Sequence, residues 1–277
     1  PYEEITNEDG TVEYKEITNA IDIAGGDYHS LILTEDGSVL SAGLNNYGQL
    51  GNGTTANSNV YKKVKLNANG DYLENIIAIS AGSSNSYAVN ADGEVYSWGL
   101  NNYGQLGIGT TDSNAHTYPS KVANIKGIVQ IEAENNFVTM LDSSGSVWGM
   151  GYNGNGQLGT GNTTNYSIPA QMLGENGNGI TGVKEIASGM NYTMILKRDG
   201  TIWGTGSNGY SQLGTGNTSD TNKIVQAKVK NGDEITNIED GKHIYASAYS
   251  VFVSRNKDKD GNAQGMYILG SNNYGQL

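Results

Sequence analysis

Between Val251-Phe252-Val253 and Met266-Tyr267-Ile268 lies the run Asn256-Lys257-Asp258-Lys259-Asp260-Gly261-Asn262-Ala263-Gln264, with side-chain oxygens at alternate positions around a glycine. Alternate oxygen ligands that converge on a hard cation while glycine permits the turn are the chemistry of calcium loops. Asn256, Asp258, Asp260, Asn262 and Gln264 are therefore the candidate calcium ligands. Two lysines lie among them, and Tyr267 stands where such a loop would place its bidentate glutamate, so a solvated hairpin is the competing reading. Other chemistry finds little footing. His29, His116 and His243 are scattered, there is no cysteine nucleophile, and neither a Gly-x-Ser-x-Gly elbow nor a His-rich metal cluster is present. No Asp or Glu pair stands out for glycosidase-like work. The chain is not expected to be an enzyme.

Binding chemistry is better represented. Asn45-Asn46-Tyr47-Gly48-Gln49-Leu50-Gly51-Asn52-Gly53 returns with small edits around Gln105, Gln157, Gln212 and Gln276, at intervals of 56, 52, 55 and 64 residues. Its variable aromatic position holds Tyr47, Tyr103, Asn155, Tyr210 and Tyr274. Tyrosine offers a large rigid contact area at low entropic cost, and neighbouring Asn, Ser and Gly add adaptable hydrogen bonds. These five are the candidate partner-binding residues, with coverage of a sheet junction as the structural alternative. Leu50, Leu106, Leu158 and Leu213 are expected to plug the core, and Gln49, Gln105, Gln157 and Gln212 to tie loop backbone to a neighbour.

A period in this range indicates a solenoid or propeller rather than one enzyme domain with a unique centre. Within each repeat, short β-prone runs flank an Asx-Gly or Ser-Gly turn: Asp36-Gly37, Asp92-Gly93, Ser144-Gly145 and Asp199-Gly200. Such a dipeptide predicts a hairpin with a type I′ turn. An outer strand follows the loop, as at Pro119-Ser120-Lys121-Val122 and Pro169-Ala170-Gln171-Met172, where proline suits a sheet edge. Leu40, Tyr96, Trp148, Trp203 and Tyr267 form one column of the repeat, and Ala42, Trp98, Met150, Thr205 and Leu269 form the column two residues later. A spacing of two puts both on one strand face, so the tryptophans read as packing between sheets.

Forty glycines, three prolines and no cysteines describe a β protein held without disulfides. The balance of 16 basic against 28 acidic residues gives a net charge of -12, which opposes phosphate backbones and anionic lipid surfaces. Nucleic acid is not an expected ligand. No apolar run approaches the roughly 18 residues of a spanning helix, and no basic-then-apolar leader precedes the first repeat, so membrane insertion is not expected and targeting segments are expected to be either absent or already removed.

Ala24-Gly25-Gly26, Thr34-Glu35-Asp36-Gly37, Tyr96-Ser97-Trp98-Gly99 and the five Gln-Leu loops together closely resemble the regulator of chromosome condensation repeat family, from about residue 20 onward. The resemblance implies an all-β chain, a β-propeller of four-stranded blades. Its members have unrelated roles, among them an exchange factor on chromatin, a plant ultraviolet photoreceptor and a secreted bacterial β-lactamase inhibitor, so fold alone does not choose a function. The repeats divide as 1–20 (outer strand of the last or a preceding blade), 21–75, 76–127, 128–182, 183–237 and a partial blade at 238–277, read as one repeat domain. About five blades are expected, closed by the N-terminal strand on the last; the alternative is an open arc or a fragment of a seven-bladed ring.

The function expected is a non-enzymatic scaffold that presents Tyr/Asn/Gly-rich loops to a protein partner. A structural subunit that self-associates through blade edges is one alternative, and a carbohydrate-binding module is another. The acidic Asn/Gly/Thr/Tyr-rich style suggests a bacterial protein that is extracellular or displayed at the cell surface.

Overall fold

The computed structural model describes residues 1–7, 9–231 and 234–272, and all their regular structure is β. A first sheet holds β1 (Tyr2–Thr6), β2 (Val12–Glu16), β3 (Ala20–Gly25), β4 (His29–Thr34), β5 (Val39–Gly43) and β6 (Ser58–Lys63), in the order β2-β1-β6-β5-β4-β3. The second is a meander of β7 (Ile76–Ala81), β8 (Asn85–Asn90), β9 (Val95–Asn101) and β10 (Asp112–Lys121). The third holds β11 (Ile128–Glu134), β12 (Phe137–Asp142), β13 (Val147–Gly151) and β14 (Tyr166–Gln171). The fourth holds β15 (Val183–Gly189), β16 (Tyr192–Lys197), β17 (Ile202–Gly206) and β18 (Thr221–Gln226), followed by a hairpin of β19 (Lys228–Asn231) and β20 (Glu234–Asn237). A last sheet has three described strands, β21 (Gly241–Ala246), β22 (Ser250–Arg255) and β23 (Met266–Gly270).

The chain forms two compact units, one of residues 1–138, 150–152 and 166–169, the other of 139–149, 153–165 and 170 onward. In the first, Leu31, Leu33, Val39 and Val64 of the first sheet pack against Ile79, Ala88 and Trp98 of the second. In the second, Tyr192, Met194, Leu196 and Leu213 pack against Ile244, Val251 and Val253. A strand such as β16, Tyr-Thr-Met-Ile-Leu-Lys, is buried on both faces for all but its last residue, which is why it shows an apolar run rather than alternation. The tryptophan expectation holds for Trp98 and Trp203, which lie in hydrophobic clusters, and not for Trp148. Trp98 is fully buried and Trp203 is 7% exposed, while Trp148 is half-buried and donates Nε1–H to Asp142 at 2.9 Å.

The hairpins form where expected but with another turn. At the first, Gly37 N–H donates to Thr34 O at 2.9 Å and Thr34 N–H to Ser38 O at 3.0 Å, and Gly37 has positive φ (76°) while Asp36 does not. That is a type I turn with a G1 bulge in place of the predicted type I′, because Asp36 turns its carboxylate to Thr34 Oγ1 at 2.6 Å and Ser38 N–H at 3.2 Å. The glycine carbonyl left over is then used by the next sheet. Ile76, Ile128, Val183 and Gly241 donate N–H to Gly37, Gly93, Gly145 and Gly200 at 3.0–3.1 Å.

The N-terminal segment corrects a second expectation. It is a hairpin, β1 with β2, and it joins its own following sheet: β1 pairs in parallel with β6 at Glu3↔Tyr61 instead of completing the last sheet. Ile17 packs with Ile32, Leu40 and Tyr61, and Glu4 bonds Lys62 at 2.8 Å, so the three residues between β2 and β3 hold the hairpin locally. A contact of short loop length costs less closure entropy than a distant one.

Trp98→Ala is expected to destabilise the protein by about 3–5 kcal/mol and the half-buried Trp148→Ala by about 1–2 kcal/mol, read as the difference in denaturant-unfolding free energy. Equal losses would contradict the packing described.

Candidate functional site: the glycine-rich loops

Each loop is built around a buried asparagine. Asn45 Oδ1 accepts Leu50 N–H at 2.9 Å, and its Nδ2 donates to Thr54 O and Ala56 O at 2.9 and 3.0 Å. Asn101, Asn153 and Asn208 repeat this with Leu106, Leu158 and Leu213 at 3.1, 2.9 and 3.0 Å. All four asparagines and all four leucines are wholly buried. The glutamines close the loop from the other side: Gln49, Gln105 and Gln212 Oε1 accept the N–H of Tyr47, Tyr103 and Tyr210 at 2.9 Å, and Gln157 accepts that of Asn155 at 3.1 Å. The backbone carbonyls of Gln49 and Gln157 then reach the following sheet, while Gln105 O accepts from Tyr87 Oη of its own sheet at 2.8 Å. Gln49 O accepts from Trp98 Nε1 and Ser86 Oγ, both at 2.8 Å, and Gln157 O from Thr193 Oγ1 at 2.9 Å. Gly51 (φ 60°) permits this approach, since a Cβ there would stand 2.8 Å from Trp98 Nε1.

The candidate binding residues fare differently. Tyr47 is 38% exposed and Tyr210 44%, each with a pinned backbone. Tyr210 also stacks on Tyr249, ring centroids 4.7 Å apart, and Tyr249 Oη lies 3.0 Å from Met190 Sδ. Tyr103 is half-buried edge-on against Tyr152 at 5.1 Å. Asn155 is drawn into structure, donating Nδ2–H to Asp220 Oδ2 at 2.9 Å. Tyr274 lies outside the described residues. Tyr249 escaped sequence reasoning, although a tyrosine at the start of a strand, beside the loop tyrosine of the preceding repeat, is visible once the repeats are aligned.

The would-be calcium ligands do converge, but on one another. Asp258 Oδ1 accepts the N–H of Asp260 and Asn262 at 2.9 and 2.8 Å, and Oδ2 accepts Asn262 Nδ2 and Gln264 Nε2 at 3.2 and 3.1 Å. Asn256 points elsewhere, donating to Gly241 O at 3.2 Å. Four donors round one carboxylate, the backbone N–H of Asn262 foremost, hold it below its ordinary pKa, so Asp258 is turned toward its own loop. Among the described residues no group of three or more His, Asp or Glu side chains is placed to hold a metal.

The histidines do not gather either. Burial drives His29 down to about 4, so it is neutral, with Nε2 2.9 Å from Ser86 Oγ. His116 sits 3.0 Å from Asp112 and His243 3.2 Å from Glu185. A half-buried carboxyl went unnoticed in the sequence: Glu134 stands in the column of Gly26, Gly82 and Gly189, and partial burial together with Asp27 and Glu132 pushes it up to about 7. Its signal was a charged residue in a glycine column.

The repeated four-stranded meanders and their interlocked loops define a β-propeller repeat protein. The RCC1-like domain profile matches residues 4–277, and the chain belongs to that family. It is 31% identical over 223 residues to the ultraviolet-B receptor UVR8 of Arabidopsis thaliana, covering 79% of this chain and 48% of the receptor. To the probable E3 ubiquitin-protein ligase HERC4 of Homo sapiens it is 32% identical over 207 residues, 72% of this chain and 18% of the ligase. The chain thus spans about half of one relative and under a fifth of the other. Among solved structures, human WBSCR16 superposes with a TM-score of 0.71 at 21% identity, covering 91% of this chain and 62% of that one. Prp20p from Saccharomyces cerevisiae gives 0.70 at 20%, covering 91% and 60%.

Glu134→Gln is expected to leave the melting temperature unchanged near pH 4 and to raise it near pH 8. The folded value of about 7 exceeds the ordinary 4.5, so the support from protonated Glu134 is full below about 4.5 and lost as pH rises toward 7. The gain at high pH should be on the order of 1–2 kcal/mol for a partly exposed carboxyl. Calcium should neither raise the melting temperature nor release heat in isothermal titration; either response would restore the cation reading.

Proposed function

We propose that this chain is a non-enzymatic scaffold that recognises a protein partner through its glycine-rich loops. The observation that carries this reading is the presentation of Tyr47 and Tyr210: exposed rings on backbones fixed by Gln49 and Gln212, so that little ordering entropy remains to be lost on binding. Tyr249 and Met190 widen the Tyr210 surface into a ledge of two rings and a thioether, the residue types enriched where interfaces concentrate their energy. Prp20p has been solved with attention to its binding of Gsp1p and histones, and also bound to Kap60, which fits a protein-binding role for the fold. The acidic surface argues against a nucleic-acid ligand, and no described helix is long and apolar enough to cross a membrane. Export or surface display belongs to the same proposal and rests on composition. So does the absence of catalysis, supported by histidines that each bond a local partner.

Self-association is a second reading, favoured by one observation. Ile79, Ile131, Ile186 and Ile244 occupy one position of the repeat and are at most 7% exposed, whereas Ile23 at that position is 75% exposed. A face packed in every other sheet is bare in the first.

Tyr47→Ser and Tyr210→Ser are each expected to weaken retention of a protein partner from source-cell extract by about ten-fold, about 1.4 kcal/mol, with unchanged melting temperature. Glycan-array binding that survives both changes would instead favour a carbohydrate ligand. Light scattering decides the second reading: a concentration-dependent rise in mass abolished by Ile23→Asp supports it, and a monodisperse monomer refutes it.

A further inference from the structure

Four outer strands, β6, β10, β14 and β18, are equivalent in the repeat, and each is bonded to its sheet on one side only by the strand before it. The register follows from one bond in each: Val64, Val122, Met172 and Ala227 donate N–H inward, to Val39, Val95, Val147 and Ile202, at 2.8–2.9 Å. Inward and outward groups alternate along an antiparallel strand. The residue one before these, Lys63 in β6 and Gln226 in β18, therefore faces outward; three before, where a register shift begins, Tyr61 meets β1 at Glu3, and Ile224 is its counterpart in β18.

An open edge is a template for another strand, and proteins blunt it with proline or cover it. Three of the four edges are so treated. Pro119 in β10 and Pro169 in β14 stand at the position of Tyr61 and have no outward N–H. In β6, Tyr61 keeps its N–H, and β1 lies alongside it in parallel through Glu3↔Tyr61. The fourth is neither blunted nor covered. At that position β18 has Ile224, and among the described residues the outward groups of Ile224 and Gln226 have no partner. The vacancy is bounded: Gly161 N–H caps Asn222 O at 2.9 Å at one end, and Lys228 N–H bonds Gly214 O at 2.8 Å at the other. Beside it runs an open cleft of about 550 Å³ lined by Asp220, Thr221, Ile224, Gln226 and Lys228.

We propose that the outer edge of β18 is a docking site for an extended segment of a partner protein, which adds in parallel as a fifth strand. The segment seated on β6 shows what such an occupant looks like, and the differences between the two edges define its chemistry. Glu4 of β1 pairs with Lys62, whose counterpart in β18 is Val225, so the occupant carries an apolar residue there. Lys228, the counterpart of Lys65, makes no ion pair among the described residues, so a carboxylate belongs three positions further along. No described loop tyrosine lines this cleft, although Thr215 and Asn217 beyond Tyr210 do, and the proposal does not depend on the role of the tyrosines.

The probe is a fluorescein-labelled peptide of residues 1–7 carrying Glu4→Val and Asn7→Asp, titrated against the full chain by anisotropy. Saturable binding is expected, at least about ten-fold weaker to Ile224→Pro, whose sister strands already hold proline at this place, and unchanged by Tyr210→Ser. The same peptide N-methylated at alternate backbone nitrogens should lose at least about ten-fold against the unaltered protein, which guards against misfolding of the proline variant. No saturation, equal affinity for the wild type and Ile224→Pro, or a loss with Tyr210→Ser matching that with Ile224→Pro would overturn the proposal. So would a dimer in light scattering that Ile224→Pro dissociates, because a second copy would then hold the edge.

Discussion

The rest of the fold depends on an amide side chain placed where a turn of backbone would otherwise need its own partners. Asn45, Asn101, Asn153 and Asn208 each accept one loop N–H and donate to one or two loop carbonyls while wholly out of water. A buried glycine-rich loop without such a group would leave several amides unpaired, at about 1–3 kcal/mol each. With it, the loop becomes rigid enough to act as part of the sheet's wall. The glutamine carbonyl that emerges on the far side is then fixed where Trp98, Ser86 or Thr193 of the following sheet can donate to it. One residue thus links local closure to packing between modules.

Much of this was legible because repetition averages out accident. The meander, the leucine plugs and the tryptophan faces follow from period-two columns that recur with the same spacing, and packing leaves each column few solutions. What could not be read was set by single contacts. The Asp36 carboxylate chose a bulged type I turn over the mirror-image turn that Asp-Gly suggests, since a side chain that bonds its own turn outweighs a dipeptide preference. The N-terminal hairpin was misplaced because strand pattern says nothing about partner, and Ile17 and Glu4 decided it.

The loop residues show the same limit from the side of function. Their column promised five equal contact groups, but equivalence of backbone is not equivalence of side chain. Tyr103 found Tyr152 to lean on, Asn155 was short enough to reach Asp220, and Tyr47 and Tyr210 kept exposed rings. The hairpin of Asp258 illustrates the converse: spacing that suits a cation also suits a carboxylate surrounded by amides, and the side chains of Asn262 and Gln264 both turn to Asp258.

In a repeat protein the informative residues are therefore those that depart from their column without a packing reason. Where neighbours on both sides demand a shape, a departure costs stability and is compensated nearby, as with Met150 standing where Trp98 does and remaining fully buried. Where no neighbour makes the demand, the column is free to drift, and Tyr28 in solvent, where other repeats hold Ser84, Asn136 and Asn191, is the result. Glu134 and Ile224 belong to neither group. Glu134 holds a half-buried carboxyl in a column where three other repeats have glycine, and β18 omits the proline that its sisters in β10 and β14 use to protect an edge. The Ile224 side chain is buried beside Trp203 and Ile195, so packing explains its apolar character, and what sets β18 apart is the backbone N–H that proline would have removed.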